Sequence, residues 1–210
     1  MWHNYKKMEE QILEAAQKLF MERGYALTST TDIAKAAGCN QALVHYYFRN
    51  KESLFMRIFD EKMKLFIRII FAPFPPQTDF YKMIRERIES HFNILLQNAQ
   101  LPFLVINELT TNKESINIIK NNLNQLPADA FDSFQQVLDK EHAAGRIRQV
   151  KAREVILNIV SLNVFTFLSM PMASVIFNLK DEREKETYLQ QRKEEIIQTI
   201  QHSLRPETQP

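Results

Sequence analysis

The stretch DIAKAAGCNQALVHYYF, Asp32 to Phe48, constrains the chain more than any other. Two helix-like runs meet across Gly38-Cys39-Asn40. Neither can hold its shape alone, because isolated helices shorter than about 12–15 residues are marginal in water. They must pack on each other. Ile33, Ala34 and Ala37 offer the first run an inward face, and the small Ala36-Ala37 pair admits a close neighbour. Val44 and Phe48, one helical turn apart, anchor the second run and leave Gln41, Ala42, Leu43, His45, Tyr46 and Tyr47 for the surface and the rim. So short an element has no room to bury three consecutive rings on one side. Two helices joined by a three- or four-residue turn containing glycine form a helix-turn-helix, whose second helix lies in the DNA major groove. Gln can pair bidentately with an adenine edge, and Ala or Leu can meet a thymine methyl. His45, Tyr46, Tyr47 and Lys51 suit phosphate oxygens.

The remainder reads as helix throughout. Alternating β-branched runs bounded by turn pairs are missing. The chain has only three glycines: Gly24 and Gly145 follow helical runs, where a left-handed residue is wanted, and Gly38 lies in the tight turn. The spacing predicts helices over about 5–23, 29–37, 41–48 and 51–70, the second opened by a capping box of Ser29 and Asp32. The proline cluster Ala72-Pro73-Phe74-Pro75-Pro76 then breaks the chain. Later helices are expected over 80–97, in shorter pieces delimited by Pro102 and Pro127, and over 129–144, 151–169 (ended by Pro171) and 181–204. This divides the chain into a DNA-binding domain (1–50), a linking helix (51–72), a larger helical domain (73–205) and a frayed tail (206–210).

With 45% hydrophobic and 25% charged residues, the chain can bury a core. Residues 1–72 carry 11 Lys/Arg against 8 Asp/Glu, so the net charge of +2 divides into +3 there and −1 beyond, a weak pointer to a polyanion at the N-terminal end. One cysteine, Cys39, excludes an internal disulfide and fits a reducing compartment as a small buried residue, and the start has no secretory signal, so a cytoplasmic protein is expected. Residues 155–179 lack any charged side chain, but Asn158, Ser161, Asn163, Thr166 and Pro171 argue for a helix covered by protein rather than lipid. Within that helix Val155, Ile159 and Leu162 form one apolar stripe, while Ile156, Val160, Val164 and Phe167 form another. A core covers one stripe, and the other needs a second subunit, giving a four-helix bundle about a two-fold axis.

Residues 12–55 resemble the DNA-binding domain of the tetracycline-repressor (TetR) family of transcriptional regulators, through ILEAAQKLF, RGYALTSTTDIAKAAG and CNQALVHYYFRNKESLF. The resemblance implies phosphate contacts from Ser29 and Thr30 or Thr31, base-edge contacts from Gln41, Ala42 and Leu43, and backbone contacts from His45, Tyr46, Tyr47 and Lys51, with Asn40 also among the DNA-binding residues. Family members commonly carry Tyr at the place of His45, His at Tyr46 or Tyr47, and Ser-Lys at Asn40-Gln41, so the operator sequence does not carry over. The resemblance further implies a homodimer on a palindromic operator, and a ligand-binding and dimerisation domain for an unknown small-molecule effector. His91, on the stripe Ile84-Ile88-His91-Leu95, and Asn107 are candidate effector contacts, although a lone His on an apolar face is more often a satisfied core residue.

Enzyme signatures are missing: there is no Gly-x-Ser-x-Gly elbow, no His-Glu-x-x-His and no glycine-rich phosphate loop, and no metal or cofactor is expected. The leading expectation is a dimeric repressor released by a small molecule. The competing one is a helical ligand-binding or interaction protein that does not repress, or that activates.

Overall fold

The computed structural model describes residues 2–73, 79–111, 113–127 and 129–206, and among them eleven α-helices and no strand. The all-helical expectation holds. Part of the expected proline boundary (74–76) and of the tail (207–210) lies outside the described residues.

By backbone proximity the chain forms two compact units, one of residues 1–65 with 104–122 and one of residues 66–103 with 123–210. The first contains α1 (Trp2–Arg23), α2 (Thr30–Ala36), α3 (Gln41–Phe48) and most of α4 (Lys51–Ile70). Ile12, Ala16, Leu19 and Phe20 of α1 are buried, a stripe at three-four spacing, and Ile33, Ala34, Val44 and Phe48 are buried in the same unit. The Phe55 ring lies 5.7 Å from Phe20 and 4.8 Å from Tyr25, both edge-on. Most of α6 (Leu101–Thr111) and α7 (Lys113–Leu123) also belong to this unit. Asn122 of α7 donates to Asp60 of α4 at 2.9 Å, and Lys64 does so at 2.6 Å. Burial opposes ionisation of Asp60, but these two donors outweigh it and hold its pKa below the usual carboxylate range.

The second unit packs α5 (Phe80–Gln97), α8 (Ala130–Ala143), α9 (Ala152–Leu168), α10 (Met170–Ile176) and α11 (Glu182–Leu204). Ile84, Ile88, Phe92 and Leu95 of α5 meet Val155 and Ile159 of α9 and Ile196, Ile200 and Leu204 of α11. Arg87 is buried in this unit, and its guanidinium donates to the carbonyls of Ile70 and Ala72, the latter at 2.5 Å. Those carbonyls close the end of α4, where a helix leaves acceptors open and favours positive charge. Burial brings the Arg87 pKa down to about 10, which still leaves it charged at neutral pH.

Several expectations need correction. Pro171 does not simply end a helix: it lies in the first turn of α10, where its missing N–H costs nothing, and α9 and α10 bend by 61°. Among the described residues no single helix is long and apolar enough to cross a membrane. Phe167, expected on the second stripe, is buried instead, with its ring 5.0 Å from Phe92. Ala36 is exposed, and Ala37, as C-cap of α2, is only half-buried. Cys39 is likewise half-buried. Both α4 and α6 run across the division between the two units.

Candidate functional site

The N-terminus of α2 is closed by Ser29 and Asp32. The Ser29 Oγ accepts from the Asp32 amide at 3.1 Å, and the Asp32 carboxylate accepts from the Ser29 amide at 3.1 Å and from its hydroxyl at 2.5 Å. The Ser29 hydroxyl and amide together hold the Asp32 pKa below its ordinary value. The one Ser29 hydroxyl proton is thus spent on Asp32, whereas Thr30 and Thr31 open the helix with their hydroxyls uncommitted to the cap. Ser29→Ala should cost about 1 kcal/mol of folding stability, as loss of an N-cap does, read as a lower urea midpoint at unchanged slope. An unchanged midpoint would show the box to be idle.

The turn after α2 is a Schellman closure: the Cys39 amide donates to the Ala34 carbonyl at 2.9 Å, and the Gly38 amide to Lys35 at 3.3 Å. It requires φ of +68° at Gly38, a region L-residues enter at a cost of about 1 kcal/mol or more. Asn40 then caps α3, its Oδ1 accepting from the Leu43 amide at 2.9 Å. With Val44 and Phe48 buried, α3 exposes Gln41, Ala42, His45 and Tyr46, and leaves Leu43 and Tyr47 half-buried at its rim. That division is what the sequence spacing anticipates.

The sequence reading missed three features. Arg49 is exposed and continues the line Gln41-His45-Arg49 at one-turn spacing, so it adds a cation to the face. Its spacing from His45 was the available signal. Arg49 also has φ 59° and ψ −53°, and the Asn50 amide bonds to the Phe48 carbonyl at 2.6 Å across it: a γ-turn of the strained hand joins α3 to α4. Finally, Gln41 and His45 are bonded within the protein. Gln41 Nε2 lies 2.9 Å from Thr30 Oγ1 and 3.4 Å from His45 Nε2, and His45 Nδ1 lies 2.8 Å from the Arg49 carbonyl. Lys51 donates to the Tyr25 carbonyl at 3.0 Å with its ammonium 4.3 Å from that ring's centroid. An ammonium has three protons, so Lys51 is held in place without being exhausted as a donor.

The two effector candidates fall in different units. Asn107 is exposed on α6. His91 is buried in the second unit, its ring 5.6 Å from Phe66, and its Nδ1 is 3.0 Å from Asn163 Nδ2. Burial pushes its pKa down to about 4, so the ring is neutral at physiological pH. Asn163 Nδ2 also donates to the Ile88 carbonyl at 3.1 Å, while Asn163 Oδ1 is buried with no hydrogen-bond partner. The sequence marked Asn163 only as a polar residue in a protein-covered helix, and its pairing with His91 comes from the fold.

A capped two-helix turn that exposes polar and basic side chains along its second helix, carried on a helical second unit, defines a helix-turn-helix DNA-binding transcriptional regulator. Residues 12–58 match the sequence family described as "Bacterial regulatory proteins, tetR family", and residues 81–200 match "Tetracyclin repressor-like, C-terminal domain". The chain belongs to the TetR family of transcriptional regulators. It is 28% identical over 163 residues to the "Fatty acid metabolism regulator protein" of Bacillus subtilis, covering 75% of this chain and 82% of that one. It is 23% identical over 141 residues to the "Biofilm operon icaADBC HTH-type negative transcriptional regulator IcaR" of Staphylococcus epidermidis, covering 64% and 75%. In fold it is similar to the regulator FadR of Bacillus subtilis, solved in complex with stearoyl-CoA, at TM-score 0.64 and 22% identity over 93% of this chain and 98% of that one.

Proposed function

We propose that this regulator is a homodimeric repressor that binds a palindromic operator and is released by a small molecule bound in its second unit. The observation that carries the DNA side is the exposed line Gln41-His45-Arg49 on a helix whose start and approach are fixed by the Asn40 cap and the Gly38 closure. Thr30, Thr31, Tyr46, Tyr47 and Lys51 supply the flanking phosphate contacts in this reading. Repression agrees with the negative regulator among its relatives. Fatty acyl-CoA is the first effector class to test, because a fatty acid metabolism regulator is similar over most of the chain. A long acyl chain would have to enter the apolar core near His91, where Asn163 Oδ1 offers an unmet acceptor. Such entry displaces packing, and α4 and α6, which run between the units, are the elements through which it would alter DNA affinity. A cytoplasmic location goes with this function.

The test is selection of bound duplexes from random DNA, followed by titration of the winner with salt and with stearoyl-CoA. Two inverted half-sites should emerge, affinity should fall steeply with salt, and the acyl-CoA should weaken binding. Failure to enrich any shared sequence overturns the reading of α3. An enriched operator that ignores acyl-CoA removes that effector class alone.

A further inference from the structure

Bidentate pairing of glutamine with adenine needs both ends of the amide: Nε2 donating to N7 and Oε1 accepting from the N6 amino group. In this chain one end is already committed. The Arg49 carbonyl can only accept, so His45 Nδ1, at 2.8 Å, carries the proton. In a neutral imidazole the other nitrogen is then an acceptor. His45 Nε2 therefore receives one hydrogen of Gln41 Nε2 at 3.4 Å, while Thr30 Oγ1 receives the second at 2.9 Å. Turning the amide over would set Oε1 against the His45 lone pair. The Arg49 carbonyl thus fixes the histidine tautomer, and the tautomer fixes the amide.

We propose that Gln41 reads DNA as an acceptor only, through Oε1, and so selects a base that offers an amino group in the major groove, adenine (N6) or cytosine (N4). Thr30 and His45 are positioning residues for that choice. Guanine presents two acceptors and thymine an acceptor and a methyl, so both meet Oε1 unfavourably. The inference rests on the reading of α3 as the helix in the major groove.

The experiment starts from the duplex selected above. The base position whose preference disappears in Gln41→Ala should be adenine or cytosine. If it is adenine, 7-deazaadenine should leave affinity within about twofold, whereas purine, which lacks the amino group, should cost roughly three- to tenfold, the worth of one hydrogen bond. If it is cytosine, pyrimidin-2-one should bring the same loss. His45→Ala releases the amide, so this position should begin to accept guanine or thymine; Thr30→Val should move the preference the same way should His45→Ala bind DNA poorly. Guanine or thymine selected at that position, or a loss with 7-deazaadenine as large as the loss with purine, overturns the acceptor assignment while leaving DNA binding intact. No selected sequence at all overturns both.

Discussion

Acidification from pH 7 to pH 4 should remove about 3 kcal/mol of folding stability through His91 alone. Burial lowers its pKa from 6.5 to about 4 in the folded protein. In the unfolded chain the ring titrates at its ordinary value, so between those two pH values the unfolded state binds the extra proton. Stability therefore falls as pH drops through about 6.5 and levels off below about 4, at about 1.4 kcal/mol for each pK unit of difference. The loss is already small at pH 7 and vanishes above it, as the ring becomes neutral in both states. Carboxylates such as Asp60 and Glu141, whose pKa values are lowered on folding, lose stability over the lower part of the same range, so the total slope is not diagnostic. The comparison is with His91→Leu, which fills similar space without titrating. Urea unfolding at pH 7, 5 and 4 should show the variant losing about 3 kcal/mol less than the parent across the range, whatever its stability at pH 7. Parallel pH profiles would mean that the ring is protonated with little penalty in the folded state.

How far such features were readable in the sequence depends on the separation of the partners. The helix-turn-helix is a local structure: the Ser29-Asp32 box, the Gly38 closure and the Val44-Phe48 anchor each link residues within a turn or two, and propensity and spacing announce them. The division of α3 into buried and exposed positions followed from crowding. The commitment of Gln41 to Thr30 did not, because the two lie 11 residues apart on separate helices and only the folded turn brings them together. The same limit applies more strongly to Asp60 with Asn122, 62 apart, and to His91 with Asn163, 72 apart. No local pattern encodes those pairs. Residues 104–122 fall in the first unit through such pairs, which is why a boundary set by prolines could not foresee it. The strained γ-turn at Arg49 had no sequence signal either, since glycine is the residue expected at positive φ.

Replacing Phe165 by Arg should convert the proposed dimer into a folded monomer and reduce operator affinity to the non-specific level, a loss of roughly 10³-fold or more. Both stripes that the sequence left open pack against the protomer's own core, with Leu162 of the first half-buried and Phe167 of the second fully buried. Val155 and Ile159 are 1% and 0% exposed and belong to the protomer's own core, whereas Ile156, Val160 and Val164 are half-buried at its edge. The uncovered face lies beyond them: Leu157 is 61% and Phe165 62% exposed, two turns apart with Ser161 between. Outward positions of α11, Gln191, Glu195, Gln198 and His202, are polar, the composition of a rim beside an apolar strip. Fully burying a Leu or Phe side chain is worth about 1.5–3 kcal/mol, so covering the exposed parts of two Leu157 and two Phe165 supplies on the order of 5 kcal/mol toward association. Phe165→Arg forfeits its share and sets two charges against each other across the two-fold axis. Because the side chain is exposed in the protomer, the melting temperature of the monomer should change little, while Val155→Arg should unfold the protein outright. A third variant guards against the wrong surface: α10 exposes Val175 (81%) and Ile176 (64%), and Val175→Arg should leave the dimer intact. Sedimentation velocity at micromolar concentration reads all three. A parent protein that sediments as a monomer, a Phe165→Arg variant that remains dimeric, or dissociation by Val175→Arg instead would each place the interface elsewhere than on α9 and α11.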